Sequence, residues 1–421
     1  MGAFAKLSIA LVAIFGVLFQ LYLKDDIVNL FAIGRTIQPI GDFPYKCRRI
    51  NNPRLQACED MWLSEQTRQL FMACSEPLGR AAWMPAVMQL NWQNRSLNDA
   101  VVVADIDKPD GDFFITRVLS TQGYKGIPGD NERLYLHGID GLDGQSEDGK
   151  PRIAIALINH KASVDAVTGK VLDPSAVGGN STVEIFETGP DATELRHVRT
   201  YAHPNITVPN RATFAGENVD AGIYVTNESK TKVGWLANMI SILPLGTVQF
   251  CDATGCEEIS SGIRFPNGLY RARDGLLYVP SSGSSTIRVY RHVPEASNNE
   301  GRRHPVEEVG FMNIGYSIDN ISEDAEGNLF VAAFPKVTEI LKFGDDPMNK
   351  WSTATIFRIH KTQEADGKLS FTFEKLIEDR DKEVLPGATT AVRDAKTGRL
   401  FLGGVTTPFI TVCDPEINHH I

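Results

Sequence analysis

Residues 266–290, PNGLYRARDGLLYVPSSGSSTIRVY, contain one copy of the pattern from which the fold is predicted. A polar pair, Asn267-Gly268, is followed by a turn at Arg273-Asp274-Gly275 and an apolar run at residues 276–279. After a second turn, residues 285–290 alternate between apolar and polar side chains, as a strand with one buried face does. Short runs of this kind, bounded by Gly and Asp turns, predict antiparallel β-structure.

The same arrangement recurs along the chain, with a polar group at the entrance of each unit. Asn210 and Asn267 are 57 residues apart, and Asn267 and Asn320 are 53 residues apart. Repeats of about 40–50 residues with about four strands predict an all-β fold of the β-propeller type. Six entrance groups predict six blades: Cys58-Glu59-Asp60, His137-Gly138-Ile139, Pro209-Asn210, Pro266-Asn267-Gly268, Asp319-Asn320 and Thr389-Thr390.

In a propeller the innermost strands line one central channel, so groups at their starts meet at one mouth. A β-sandwich, the alternative fold, would not bring these groups together. Uncharged amides mixed with a few carboxylates are the oxygen ligands that a hard cation such as Ca²⁺ takes. The sequence therefore predicts a cation site at the mouth of the channel.

Composition and missing motifs argue against several other functions. The chain has 421 residues, a formal net charge of −10 and no basic block, so a nucleic-acid partner is not expected. It contains no Gly-x-Ser-x-Gly elbow, no His-Glu-x-x-His motif and no phosphate-binding loop. These absences disfavour a serine hydrolase and a zinc protease.

The N-terminus differs from the rest, because residues 7–23 are almost wholly apolar. This run is slightly short for a membrane-crossing helix and slightly long for the core of a signal peptide. We interpret residues 1–24 as a hydrophobic helix that acts as a secretion signal and is retained as an anchor, which would associate the protein with a membrane. A buried core helix is the alternative. Residues 25–46 then form a connecting segment, and residues 47–421 form the propeller.

Six cysteines fit a protein of the secretory pathway that is extracellular or anchored facing the lumen or exterior. A bond between Cys47 and Cys413 would join the ends of the ring. Cys58 could pair with Cys74, and Cys251 with Cys256, but about fifteen pairings are possible for six cysteines and the sequence does not choose. The same compartment predicts N-glycosylation at the sequons of Asn94, Asn180, Asn205 and Asn227.

Taken together and in this order, these motifs resemble the paraoxonase/arylesterase family. Its members are six-bladed propellers and calcium-dependent hydrolases of lactones and aryl esters. The resemblance runs from the N-terminal apolar segment to Cys413, so it covers nearly the whole chain. It implies a ring-closing disulfide between Cys47 and Cys413, a catalytic propeller domain, and a small ester or lactone as substrate.

The resemblance also implies roles for individual residues. His137, oriented by His160, would deprotonate the attacking water, and a pKa near the ordinary value of about 6.5 would suit that work. Calcium would act as a Lewis acid on the substrate carbonyl. Its ligands would be Glu59, Asn210, Asn267, Asp319 and Asn320.

The chain departs from the family pattern at Phe334 and in two long inserts, and the departure that bears on the metal is Arg211. The resemblance implies a second, structural calcium on Asp60 and the carbonyl of Ile139, completed by an aspartate where this chain has Arg211. A guanidinium has no acceptor and cannot ligate a cation. We therefore predict that Arg211 pairs with Asp60 and that the protein holds one calcium. The alternative is that Arg211 points to solvent and another residue completes the second site.

A second function of a different class stays open, because a fold does not fix a function. The chain could be a non-catalytic propeller that binds a ligand or a partner and keeps calcium for rigidity. Loss of hydrolysis on chelation and its recovery with calcium would favour the enzyme over this alternative.

Overall fold

The structure is a computed structural model, and it describes residues 3–130, 132–146, 148–293, 303–363 and 369–416. Within these residues the fold is mostly β, with 26 strands and five α-helices. The helices are α1 (Ala3–Leu18), α2 (Lys24–Phe31), α3 (Pro77–Ala82), α4 (Pro174–Val177) and α5 (Val337–Asp345). A π-helical stretch, Phe19–Leu23, joins α1 to α2.

The strands are numbered in chain order. They are β1 (Tyr45–Ile50), β2 (Asp60–Ser64), β3 (Gln69–Cys74), β4 (Trp83–Met84), β5 (Gln89–Leu90), β6 (Ala100–Asp110), β7 (Phe113–Gln122), β8 (Leu136–Gln145), β9 (Pro151–Ala162), β10 (Gly179–Thr188), β11 (Glu194–Tyr201), β12 (Pro209–Phe214), β13 (Ile223–Asn227), β14 (Gly246–Asp252), β15 (Gly255–Ile263), β16 (Tyr270–Arg271), β17 (Leu277–Ser281), β18 (Thr286–His292), β19 (Val306–Asn313), β20 (Ser317–Glu323), β21 (Leu329–Phe334), β22 (Thr355–Gln363), β23 (Leu369–Glu378), β24 (Thr390–Arg393), β25 (Leu400–Gly403) and β26 (Ile410–Pro415).

The strands form antiparallel meanders. Three sheets have four consecutive strands each, namely β12 to β15, β16 to β19 and β20 to β23. An eight-stranded sheet contains two further meanders, β2-β3-β6-β7 and β8-β9-β10-β11, which meet where β7 pairs in parallel with β11. The first strands of successive meanders contact one another in the order β2, β8, β12, β16, β20 and β24, and β24 contacts β2. These inner strands therefore form a closed ring.

The first and last described strands meet in one sheet of order β1-β26-β25-β24. Cys47 of β1 lies opposite Cys413 of β26, and the two form a disulfide. Two more disulfides join Cys58 to Cys74 and Cys251 to Cys256. Three disulfides are consistent with an extracellular or secretory-pathway protein.

Apolar side chains fill the space between neighbouring sheets. Phe71 of β3 and Ile155 of β9 belong to one buried cluster, and Tyr278 of β17 and Val331 of β21 belong to another. Because each strand alternates its side chains between two faces, every sheet can pack on a neighbour at both sides. This packing holds the inner strands, and the polar groups on them, in fixed positions.

The N-terminal segment contacts the β-sheet domain through α2. Asp26 forms an ion pair with Arg264 at 3.0 Å, and the amide of Asn29 donates to the hydroxyl of Ser285 at 2.9 Å. No helix in the described ranges is both long and apolar enough to cross a membrane. The role of residues 1–24 as a signal or anchor stays a prediction.

One of the four predicted glycosylation sites is wrong. Asn227 is 0% exposed, and its amide nitrogen donates to the carbonyl of Asn205 at 2.8 Å and to the hydroxyl of Thr247 at 3.2 Å. A glycan on this nitrogen has no path to solvent in the folded chain. Asn94 and Asn180 are exposed and Asn205 is half-buried, so glycosylation of these three stays a prediction.

Candidate active site

Irregularities in three inner strands place the polar entrance groups. In β8, β12 and β20 the pairing register shifts across two residues, which interrupts the ladder there. Such bulges bend a strand and re-aim its side chains. The pairs at the three shifts are His137-Gly138, Asn210-Arg211 and Asp319-Asn320. The local backbone thus turns these groups away from ordinary sheet positions.

Glu59 and Asn320 form the first polar pair of the site. The amide nitrogen of Asn320 donates to Oε1 of Glu59 at 2.6 Å. The remaining oxygens, Oε2 of Glu59 and Oδ1 of Asn320, are buried and have no hydrogen-bond partner in the described part of the chain. Gly268 lies directly beside them, since a Cβ at this position would lie 2.0 Å from Oδ1 of Asn320. The position therefore requires glycine.

Asn210 and Glu228 form a second pair of the same kind. The amide nitrogen of Asn210 donates to Oε1 of Glu228 at 2.8 Å. Oδ1 of Asn210 and Oε2 of Glu228 are buried without a hydrogen-bond partner among the described residues. The sequence analysis missed Glu228, which follows the buried strand β13 directly. A carboxylate at the end of an apolar strand is the signal that could have found it.

Asp319 and Asn267 lie beside these pairs, but the amide of Asn267 is bonded differently from those of Asn210 and Asn320. The amide of Asn267 interacts with the carboxylate of Asp319. Its oxygen accepts from the backbone N–H of Gly268 at 2.8 Å, while its nitrogen donates to the hydroxyl of Ser282 at 3.0 Å. Asn267 is therefore in the group that the sequence predicts, but its amide nitrogen faces Asp319, and a turned amide would present the oxygen to an ion beside that carboxylate.

The electrostatics of the site favour a cation. Burial, together with repulsion from Asp60 and Asp319, raises the pKa of Glu59 well above its ordinary value. Burial also raises the pKa of Glu228 strongly, and Asp319 and Glu59 add to this effect. The pKa of Asp319 is raised to about 8, mainly by burial. Three buried carboxyl groups that disfavour one another's charge are stabilised by a bound cation.

The donor set fits a hard cation. Four buried oxygens without partners, from two glutamates and two asparagines, suit calcium, which takes about six to eight oxygen ligands. In the described residues no three His, Cys, Asp or Glu side chains are grouped closely enough to hold a metal by themselves. The fit consequently depends on the amide oxygens as well as on the carboxylates.

The two histidines form a buried relay beside Glu59. Nδ1 of His137 lies 2.9 Å from Nε2 of His160, and Nδ1 of His160 lies 2.8 Å from the hydroxyl of Ser181. The other ring nitrogen of His137, Nε2, is 3.7 Å from Oε1 of Glu59. His137 thus lies between the relay and the first polar pair.

The pKa values of the histidines differ from the sequence-based expectation. Burial lowers the pKa of His137 well below its ordinary value, and the charges of His160 and Arg80 lower it further. Burial and Arg80 lower the pKa of His160 to about 3. The expected pKa near the ordinary value is therefore wrong. Both rings are neutral at pH 7, and His137 is a free base there.

Arg211 lies at the centre of the ring. It is 1% exposed, and its Nε is 2.9 Å from Oδ2 of Asp60. Its Nη2 donates to the carbonyl of Ile139 at 3.1 Å, and its Nη1 to the carbonyl of Ile321 at 2.5 Å. The alternative in which Arg211 points to solvent is wrong. A second calcium on Asp60 and Ile139 does not fit, because the guanidinium already contacts both groups.

Comparison with known proteins identifies the family. The arylesterase family model matches residues 171–411, which is more than half of the chain. The protein therefore belongs to the arylesterase family, and this membership supports a hydrolytic enzyme. No curated protein sequence matches the chain significantly.

Solved structures resemble the chain only distantly. A gluconolactonase from Xanthomonas campestris is 14% identical with a TM-score of 0.42, and covers 90% of this chain and 98% of its own. The PQQ domain of pyranose dehydrogenase from Coprinopsis cinerea is 10% identical with a TM-score of 0.47, and the match covers 88% of this chain and 97% of that domain. A streptogramin B lyase is 11% identical with a TM-score of 0.40, also covering 88% and 97%. Likenesses this distant carry no argument about function.

Proposed function

We propose that this protein is a calcium-dependent hydrolase of lactones and aryl esters, built as a six-bladed β-propeller. Membership of the arylesterase family supports the reaction class. The closed ring of inner strands supports the blade number, since six meander starts contact one another in succession. The observation that carries the proposal is the set of four buried oxygens without partners in the described residues, on Glu59, Asn320, Asn210 and Glu228, with Nε2 of His137 3.7 Å from Oε1 of Glu59.

The proposed calcium ligands come from separate inner strands and their neighbours. Glu59, Asp319 and Asn320 would hold the ion together with Asn210, and Asn267 would join them once its amide has turned. Two of these residues are carboxylates and three are amides, which matches the oxygen preference of calcium. When bound, calcium supplies Lewis acidity that polarises the carbonyl of the ester or lactone.

His137 is the proposed general base. Its Nε2 can accept a proton from the attacking water only if its Nδ1 carries the ring hydrogen and donates to Nε2 of His160. His160 then carries its own hydrogen on Nδ1 and donates it to the hydroxyl of Ser181. This arrangement fixes one tautomer of each ring. Glu59, 3.7 Å from Nε2 of His137, stabilises the imidazolium that forms.

We propose one calcium and not two. The guanidinium of Arg211 contacts Asp60 and the carbonyl of Ile139, the two groups that the family resemblance assigns to a structural calcium. Its fixed positive charge neutralises Asp60 without a metal. Arg211 also reaches the carbonyl of Ile321, so one side chain of β12 joins β2, β8 and β20.

A single experiment tests the proposed function. The purified full chain is assayed with phenyl acetate and with lactones of graded chain length, before and after chelation and after calcium is returned. We expect hydrolysis that chelation abolishes and calcium restores. A chain that binds calcium and is stabilised by it, but turns over no ester or lactone in the panel, would contradict the enzyme and favour the non-catalytic binder.

A further inference from the structure

We infer that Glu228 is a further residue of the cation site, which supplies a carboxylate oxygen to the ion and fixes the orientation of the Asn210 amide. This inference rests on the proposed calcium site. Glu228 is 1% exposed, and its Oε1 accepts from the amide nitrogen of Asn210 at 2.8 Å. Its second oxygen, Oε2, is buried and has no partner among the residues that the structure describes.

The Asn210–Glu228 pair repeats the geometry of the Asn320–Glu59 pair. In both pairs a glutamate oxygen accepts a hydrogen bond from the amide nitrogen of an asparagine, at 2.8 Å in one pair and 2.6 Å in the other. Because an amide has a donor end and an acceptor end, this bond decides which end faces the site. Both amide oxygens and both second carboxylate oxygens are then left without partners in the described ranges. The two pairs are thus equivalent sources of ligand oxygens.

Burial of the Glu228 carboxylate at this position would be unfavourable without a bound cation. Burial of a carboxylate without compensation is strongly unfavourable. The charged groups that act on Glu228 most strongly are Asp319 and Glu59, and both are negative. The hydrogen bond from Asn210 uses only one of its two oxygens. A bound cation would give Oε2 of Glu228 a partner of opposite charge.

The backbone around Glu228 is fixed, so its side chain has a defined direction. The N–H of Glu228 donates to the carbonyl of Val208 at 2.9 Å, and Val208 directly precedes β12, the strand that carries Asn210. The preceding residue, Asn227, is anchored by its own buried side-chain bonds. Glu228 is therefore placed by the same strand pair that places Asn210.

Calcium affinity tests the inference directly, without an activity assay. Chelator-treated full-length protein is titrated with Ca²⁺ by isothermal titration calorimetry. We expect Glu228→Gln to weaken binding about 10–100-fold, as loss of a group that ligates or orients a ligand does. Glu378→Gln is the matched control, since Glu378 is likewise buried, at 0% exposed, but lies on the outer strand β23. We expect wild-type affinity in this control.

The outcomes separate this inference from the proposed function. If the wild type binds calcium, Asp319→Asn does not, and Glu228→Gln binds like the wild type, the inference about Glu228 fails and the calcium site stands. If the wild type binds no calcium, both fail. Should Glu228→Gln not fold, Glu228→Asp replaces it, because the shorter side chain cannot reach both Asn210 and the ion. Wild-type affinity in Glu228→Asp would equally overturn the inference.

Discussion

The guanidinium of Arg211 and the carboxylate of Asp60 form a buried ion pair at the centre of the strand ring, with Nε 2.9 Å from Oδ2. Asp60 also accepts the backbone N–H of Ile139 at 3.0 Å and the hydroxyl of Thr390 at 3.1 Å. A buried charge pair is stable when hydrogen bonds satisfy its remaining groups. In this ring those bonds come from several different strands.

Removal of the guanidinium should destabilise the protein. Arg211→Met leaves Asp60 buried and uncompensated, so we expect the free energy of unfolding to fall by about 3–5 kcal/mol. Chemical denaturation monitored by fluorescence measures this change. An unchanged midpoint would show that the pair contributes nothing to the ring.

Replacement of the guanidinium by a carboxylate should create a second metal site. Arg211→Asp places two carboxylates beside the carbonyls of Ile139 and Ile321, an all-oxygen set of the kind that calcium takes. Metal analysis of dialysed protein should find one tightly bound ion in the wild type and two in Arg211→Asp. Two ions in the wild type would refute the single-calcium proposal.

Loss of the negative charge of Asp319 or of Glu59 at the proposed calcium site should abolish hydrolysis. In Asp319→Asn and Glu59→Gln the side chain keeps its size but loses its charge. We expect no measurable turnover of phenyl acetate or simple lactones, and much weaker calcium binding by calorimetry. Wild-type-like turnover in both variants would rule out the catalytic calcium.

Calcium binding should strengthen as the pH rises. The pKa of Asp319 is raised to about 8 in the cation-free protein, so this carboxyl is largely protonated below that pH. Calcium must displace the proton, so affinity falls by up to about tenfold for each pH unit below 8 for each proton released. Titrations at pH 6, 7, 8 and 9 in buffers of different ionisation enthalpy measure both the affinity and the protons released. Affinity that stays constant from pH 6 to 9 would contradict the raised pKa.

The histidine relay should affect catalysis without affecting the metal. For His137→Gln we expect kcat to fall by about 10²–10⁴-fold, the usual contribution of a general base, with unchanged calcium affinity. Ser181→Ala removes only the bond to Nδ1 of His160 and should cost about tenfold or less. Equal rates for His137→Gln and the wild type would assign the base to another group.

The sequence predicts much of this architecture because each repeat in the sequence corresponds to one meander of strands in the fold. Asn210, Asn267 and Asn320 recur at intervals that one meander of four strands needs, and all three lie at the inner ring. The family resemblance predicts the disulfide between Cys47 and Cys413. The spacing of six cysteines alone leaves the pairing open.

Other features depend on geometry that a pattern of residue types does not contain. The sequence marks His137, Asn210 and Asp319 as polar entrance groups, but it does not show that the strand register shifts at each of them. The role of Glu228 depends on a hydrogen bond to Asn210, 18 residues earlier in the chain. The lowered pKa of His137 depends on its burial and on Arg80, which is far away in the sequence.

The sheet that pairs the first described strand with the last has a consequence for synthesis. Its outer strand β1 precedes the other described strands, while its partner β26 ends at Pro415. During translation β1 therefore stays unpaired until β26, at residues 410–415, has been synthesised. A premature stop ahead of β26 would leave the circle open and β1 without its neighbour.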